Sequence, residues 1–140
     1  MLNNTKIFHI IPVKNLALII QSGGIYCKNN QPAGCQNISY TNIQQRRQNT
    51  IVPLPLGGII HDYVPFYFAP RSPMLYALHS GFVEDFIEDQ SRILHIVSSI
   101  EKVEEEKLEY VFTDGHACMS LTEFYNNKAD LDKIDWEVMK

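Results

Sequence analysis

Three observations predict an α+β fold for this sequence. Short β-rich runs occur at Lys6 to Ile11, Ile93 to Val97 and Tyr110 to Thr113. Stretches with apolar residues at helical spacing lie between them and end at glycine or proline. The chain has 140 residues, 45% apolar and 20% charged, which is enough for one modest core and too little for two independent domains.

The first 25 residues read as strand, short helix and glycine turn. Lys6 to Ile11 is a strand that ends at Pro12, where the missing amide interrupts pairing. Asn15 is placed to cap a helix whose Leu16, Ile19 and Ile20 recur at helical spacing, and Gly23-Gly24 offers the left-handed exit a helix end prefers. Lys28 to Asn37, rich in Asn, Gln, Pro and Gly, is a surface loop. Thr41 or Asn42 caps a second, mostly polar helix through Ile43 to Gln48, which ends before Pro53.

Pro53, Pro55 and Gly57-Gly58 form another loop, and Ile59 to Val64 leads toward a strand. The stretch Val64 to Tyr76 then places four aromatics and three prolines in 13 positions. Alternation of Phe66, Tyr67 and Phe68 along a strand would bury the phenylalanines and turn the tyrosine to the opposite face. Pro73 suits the first turn of a helix through Met74, Leu75 and Leu78 toward Gly81. Farther on, Ile93 to Val97 and Tyr110 to Thr113 suggest a second strand pair, with the acidic run Glu101 to Glu109 between them as a solvated helix or turn face. Ser120 to Asn127 and Asp130 to Met139 read as short amphipathic helices. No repeat or low-complexity tract is evident.

Composition narrows the function classes. No apolar run approaches the roughly 18 residues of a membrane span. The N-terminus lacks a secretory pattern, so the expected location is cytoplasmic. Cys27, Cys35 and Cys118 form neither a Cys-x-x-Cys pair nor an even set, and the five histidines show no metal-ligand spacing; no metal is expected. The formal charge of −4 is unevenly spread. Residues 1 to 83 hold six basic residues and one acidic, net +5, whereas residues 84 to 140 hold six basic and 15 acidic, net −9. A basic half can attract a polyanion if its charges share a face.

No Walker loop, dinucleotide glycine fingerprint or nucleophile elbow is present. What the residues offer is a candidate polar cleft. His9 closes the first strand, Arg46-Arg47 and Gln44 sit on the polar helix, and Tyr67 and Arg71 flank the prolines; these converge if the strands pair. A guanidinium there can pair with a diphosphate, stack on a ring or simply solvate the surface.

The segments His9-Ile10-Ile11 with Asn15-Leu16, Ile43-Gln44-Gln45-Arg46-Arg47, and above all the long block from His61-Asp62-Tyr63-Val64-Pro65-Phe66-Tyr67-Phe68 through Ala69-Pro70-Arg71-Ser72-Pro73-Met74-Leu75-Tyr76 resemble the DarT family of DNA ADP-ribosyltransferase toxins. The likeness is co-linear from about Ile7 to Trp136, with further family-like blocks at Ile93 to Ser99 and at Phe112 to His116. It implies an ADP-ribosyltransferase fold and transfer of ADP-ribose from NAD, the co-substrate, to a base in single-stranded DNA. Thymine is the implied base. The resemblance also implies a toxin–antitoxin pair in which a macrodomain antitoxin removes the modification.

Carried over by motif position, His9, Ile10 and Ile11 form the strand that holds NAD through its ribose and nicotinamide amide, with Gln44 contributing from the helix. Ile11 stands where the family commonly has threonine, so a backbone contact survives there and a hydroxyl contact does not. Arg47 is the implied catalytic arginine; because a guanidinium stays charged, electrostatic stabilisation suits it better than proton abstraction. Tyr67, Arg71, Met74 and His116 match the family's DNA contacts, where aromatic or thioether groups stack on unpaired bases and arginine neutralises phosphate. The family's catalytic glutamate lies in a later segment than any matched here, so the expectation is a single domain, 1 to 140, incomplete at its C-terminus. The rival expectation is a catalytically inactive NAD- or single-stranded-DNA-binding remnant. A DNA-independent NAD glycohydrolase is a third.

Overall fold

The structure, a computed structural model, describes residues 4–31, 33–34, 41–55, 57–70 and 93–138, with the side chains of 41–44 outside that description. The predicted helix after Pro73 therefore lies outside the described residues.

Strand β1 spans Lys6–Pro12 and pairs antiparallel along its whole length with β2, Ile93–Ser99, so that Lys6 faces Ser99 and Pro12 faces Ile93. Ile7, Ile10, Ile11 and Pro12 are buried, so the C-terminal half of β1 is covered on both faces. A 3₁₀ turn at Val13–Asn15 leads into helix α1, Leu16–Ser22. Asn15 is buried and makes no capping hydrogen bond through its side chain, because the chain enters the helix already wound. The exit is as expected: Gly23 has φ of 81°, and Gly23 and Gly24 donate to Ile20 and Ile19.

Helix α2, Thr41–Asn49, is closed by Thr50, whose N–H bonds the Arg47 carbonyl and whose hydroxyl bonds that of Arg46 at 2.6 Å. The chain then turns back on itself. Val52 donates to Gly58 at 2.9 Å, Ile60 donates to Thr50 at 3.1 Å, and Ile51 bridges Ile59. Ile59 to Val64 does lead toward the extended pairing of Tyr67 with Phe8, but is not itself extended throughout. A 3₁₀ turn covers Ile60–Asp62 instead, because Gly57 and Gly58 at φ of 66° and 75° reverse the chain and Asp62 Oδ2 accepts from Ile59 N–H at 3.0 Å.

The second strand pair also forms differently. β2 is taken by β1, and β3, Phe112–Thr113, pairs with β4, Phe124–Tyr125. The expected helix at Ser120 to Asn127 is replaced by β4 and the loop before it, where Asp114, Thr113 and Thr122 side chains bond nearby main-chain groups rather than leaving them to a helix. Of the helix expected at Asp130 to Met139, the described residues, through Val138, likewise form no continuous helix. Asn127 caps a 3₁₀ turn at Lys128–Lys133, and the Trp136 indole N–H folds back onto the Leu131 carbonyl at 2.9 Å. The acidic run behaves as expected, with helix α3 at Ile100–Glu105 capped by the Ser99 side chain and mostly solvated beyond it.

One core joins these pieces: Ile7, Ile100, Phe112, Leu131 and Ile134 are buried together, with Phe66, Phe68, Tyr110, Tyr125 and Trp136 packed against them. Each fully buried aliphatic contributes about 1.5–3 kcal/mol. Phe68 meets Phe112 and Trp136 edge-on at 6.1 and 5.2 Å. Both phenylalanines of the aromatic–proline block thus enter the core, as the alternation predicts. No helix among the described residues is long and apolar enough to cross a membrane.

Candidate active site

The first half of the candidate site is the edge of β1 that β2 does not take. Phe8 and Tyr67 exchange both main-chain hydrogen bonds, N–H to C=O at 2.8 and 2.7 Å. Two residues along the same edge, antiparallel register sets Ile10 opposite Pro65. Proline has no N–H to give, and its carbonyl accepts instead from His9 Nδ1 at 2.6 Å. No described residue continues the ladder, so the Ile10 N–H and C=O stand at an edge without a strand partner.

The same bond fixes the tautomer of His9. Because a carbonyl can only accept, Nδ1 carries the proton and Nε2 presents a lone pair. Burial, partly against the Phe66 ring 5.4 Å away, pushes the His9 pKa below its ordinary value, and the bond to Pro65 only partly offsets this.

The second half gathers around Arg47, in the last turn of α2, where the helix dipole favours a cation. His116, on the loop between β3 and β4, has its pKa lowered by burial and then by the charges of Arg47 and Arg46. Cys118 N–H donates to His116 Nδ1 at 3.3 Å, so the neutral ring keeps its proton on Nε2. Buried His61 is lowered by burial and by Lys28 and Arg47, against a smaller opposite pull from Asp62. The 3₁₀ turn at Lys28–Asn30 is strapped to this group by Asn29, which donates to Asp62 Oδ1 at 2.7 Å.

The structure therefore brings His9 beside the Tyr67 segment, and His116 into the field of Arg47. No hydrogen bond or ion pair among the described residues joins these two groups. Ile10 and Ile11 are 3% and 4% exposed, so their side chains are packed away and offer a ligand no surface. Gln44 lies within α2, its side chain outside the description; Arg71 and Met74 lie outside the described residues. His61 was not singled out from the sequence. Its signal was the Pro53 to Gly58 reversal just before it, which returns the chain to the end of α2. Among the described residues no group of three His, Cys, Asp or Glu side chains could hold a metal ion.

Comparison with known proteins places this geometry. The family model described as "ssDNA thymidine ADP-ribosyltransferase, DarT" matches residues 8–140. A DNA ADP-ribosyl transferase of Thermus sp. (strain 2.9) is 44% identical over 136 residues, covering 97% of this chain and 65% of that protein. The structure of Thermus sp. 2.9 DarT in complex with ADP-ribosylated ssDNA superposes with a TM-score of 0.91 at 45% identity, covering 95% of this chain and 63% of that one. The complex of the same protein with NAD+ gives 0.88 at 41% identity, covering 97% and 64%. The chain thus spans a little under two thirds of the length of these relatives. Its fold is the α+β ADP-ribosyltransferase fold that they share. With the family model matched along nearly its whole length, this chain belongs to the DarT family.

Proposed function

We propose that this chain serves NAD-dependent ADP-ribosylation of a base, thymine in our reading, in single-stranded DNA. The observation that carries the proposal is the main-chain N–H and C=O of Ile10, unpaired by any described strand, beside His9. An adjacent N–H and C=O on a strand edge are the complement of a carboxamide, which offers one donor and one acceptor in the same plane. His9 Nε2, held as an acceptor, suits a ribose hydroxyl. The residues fit the dinucleotide, and the Thermus relative's complexes with NAD+ and with ADP-ribosylated ssDNA support the same reading.

In this reading NAD supplies the ADP-ribosyl group, nicotinamide departs, and the base loses a proton as its bond to the ribose forms. Arg47 stabilises charge near the reacting centre from the end of α2. Gln44 supports the dinucleotide, Tyr67 and Met74 stack on unpaired bases, Arg71 neutralises a phosphate, and His116 offers its Nε2–H to the DNA. We further infer a cytoplasmic toxin whose partner is a macrodomain antitoxin that removes the modification.

The test is intact-mass analysis of a thymine-containing single-stranded oligonucleotide incubated with NAD and the chain. A gain of one ADP-ribose that Arg47→Ala abolishes is the expected result. Binding of both ligands without a mass gain would instead favour an inactive binding remnant, and DNA-independent loss of NAD a glycohydrolase.

A further inference from the structure

The stretch from Pro65 to Pro70 is held at both ends by histidines. At one end His9 Nδ1 donates to the Pro65 carbonyl at 2.6 Å; at the other, His95 Nε2 donates to the Pro70 carbonyl at 2.9 Å. The two rings come from paired strands but from opposite faces. His95 lies opposite Ile10 in the register and so shares its face, as does Phe8, whose ring the His95 ring meets edge-on at 6.5 Å. Tyr67, directly paired with Phe8, lies on that face too, whereas Phe66 and Phe68 point to the core. The segment therefore crosses the edge of β1, entering on the His9 side and leaving on the His95 side.

Both anchored residues are prolines, with φ fixed by the ring, and Val64 and Ala69 before them are confined to extended backbone. Little conformational freedom is left in the stretch once its two end carbonyls and the Tyr67 main chain are fixed. We propose that His95 is a positioning residue for DNA binding. Its ring N–H sets the exit of the Pro65–Pro70 stretch, and with it the presentation of Tyr67. This rests on the proposed role of that stretch as the DNA platform. It assigns His95 no contact with DNA or NAD.

The test compares His95→Phe, which keeps a ring against Phe8 and loses the donor, with His95→Gln, whose amide can still donate. Affinity for a thymine-containing single strand is measured by filter binding and affinity for NAD by calorimetry. His95→Phe is expected to weaken DNA binding about fivefold, near 1 kcal/mol, with NAD affinity and melting temperature unchanged, and His95→Gln to restore most of the loss. Equal DNA affinity for wild type and His95→Phe overturns the proposal. So does a parallel loss of NAD affinity or of folding in His95→Phe, which would mark the bond as merely architectural. If wild type itself binds no single-stranded DNA, the platform reading fails instead.

Discussion

The main-chain N–H of Cys118 donates to Nδ1 of His116 across 3.3 Å, so this imidazole can take up a second proton only by giving up a hydrogen bond. Burial and the neighbouring Arg47 and Arg46 charges oppose the same proton. His116 is thus held neutral as a donor through Nε2, while His9, bonded through its own Nδ1 proton to Pro65, is an acceptor through Nε2. The two histidines of the proposed site are given opposite hydrogen-bonding roles by their main-chain partners.

Replacing Arg47 by alanine is expected to raise the pKa of both His116 and His61, since its charge lowers each. NMR titration of the ring protons reads this without reference to activity. An unchanged pair of titrations would show that the guanidinium does not reach them. In the proposed transfer reaction the same variant should lose about 100-fold or more of the rate.

Stability should fall as the medium is acidified. His9, His61 and His116 all have pKa values below the ordinary 6.5 in the folded chain, so the unfolded chain binds more protons as pH drops. Their contribution is complete above about pH 6.5 and is lost as pH falls through the lowered values. Melting temperature followed from about pH 7.5 to 5 checks the sign, ahead of carboxylate titration. His116→Gln should flatten the slope.

Gly58→Ala is expected to destabilise the chain by about 1–3 kcal/mol. The residue has φ of +75°, and an added Cβ would lie 2.7 Å from Asp62 Oδ2. Displacing that carboxylate also releases the Asn29 strap, so Lys28–Asn30 should gain amide exchange. Chemical denaturation and hydrogen exchange measure the two effects separately.

The Glu101 carboxylate links three elements. Oε2 accepts from Thr5 N–H at 3.0 Å and Oε1 lies 3.1 Å from Lys128 Nζ, with the two side chains 27% and 32% exposed. Burial raises its pKa, but its main-chain hydrogen bonds, that from Thr5 among them, and the Lys128 ammonium outweigh this, leaving it below the usual range. Glu101→Gln should cost about 1 kcal/mol at neutral pH. The difference from wild type should vanish as pH falls through the lowered carboxylate pKa, where wild type loses the same charge.

Local signals carried much of this architecture. The first strand, its stop at Pro12 and the glycine exit of α1 follow from residue type alone, and the Phe66–Tyr67–Phe68 alternation correctly sends two rings inward. What local patterning could not supply was partner choice. Nothing within Ile93 to Val97 says that its partner is 80 to 90 residues earlier rather than Tyr110 to Thr113; the match in length with β1 decides it. Single hydrogen bonds decided the other details: Asp62 to Ile59 winds the approach to the Tyr67 pairing into a turn, and Trp136 to Leu131 breaks an amphipathic pattern into turns. Of the proposed site, His9 and Arg47 are legible through the family resemblance. The roles of Pro65 and Cys118 are not, because each acts through a main-chain group that any residue type, or in the case of Pro65 its missing N–H, supplies only in three dimensions.

Trp136 stands edge-on to Phe68 at 5.2 Å, and the sequence has no second tryptophan. The stretch that passes over β1 on its outer side is therefore backed, on its inner side, by a solitary indole. With excitation at the red edge of indole absorption, where the seven tyrosines do not absorb, emission from the unlabelled chain comes from one place, behind the residues proposed to receive the nucleic acid. An intrinsic fluorophore so placed makes a ligand-induced shift of that stretch visible as a change of intensity or wavelength in real time, without any attached dye.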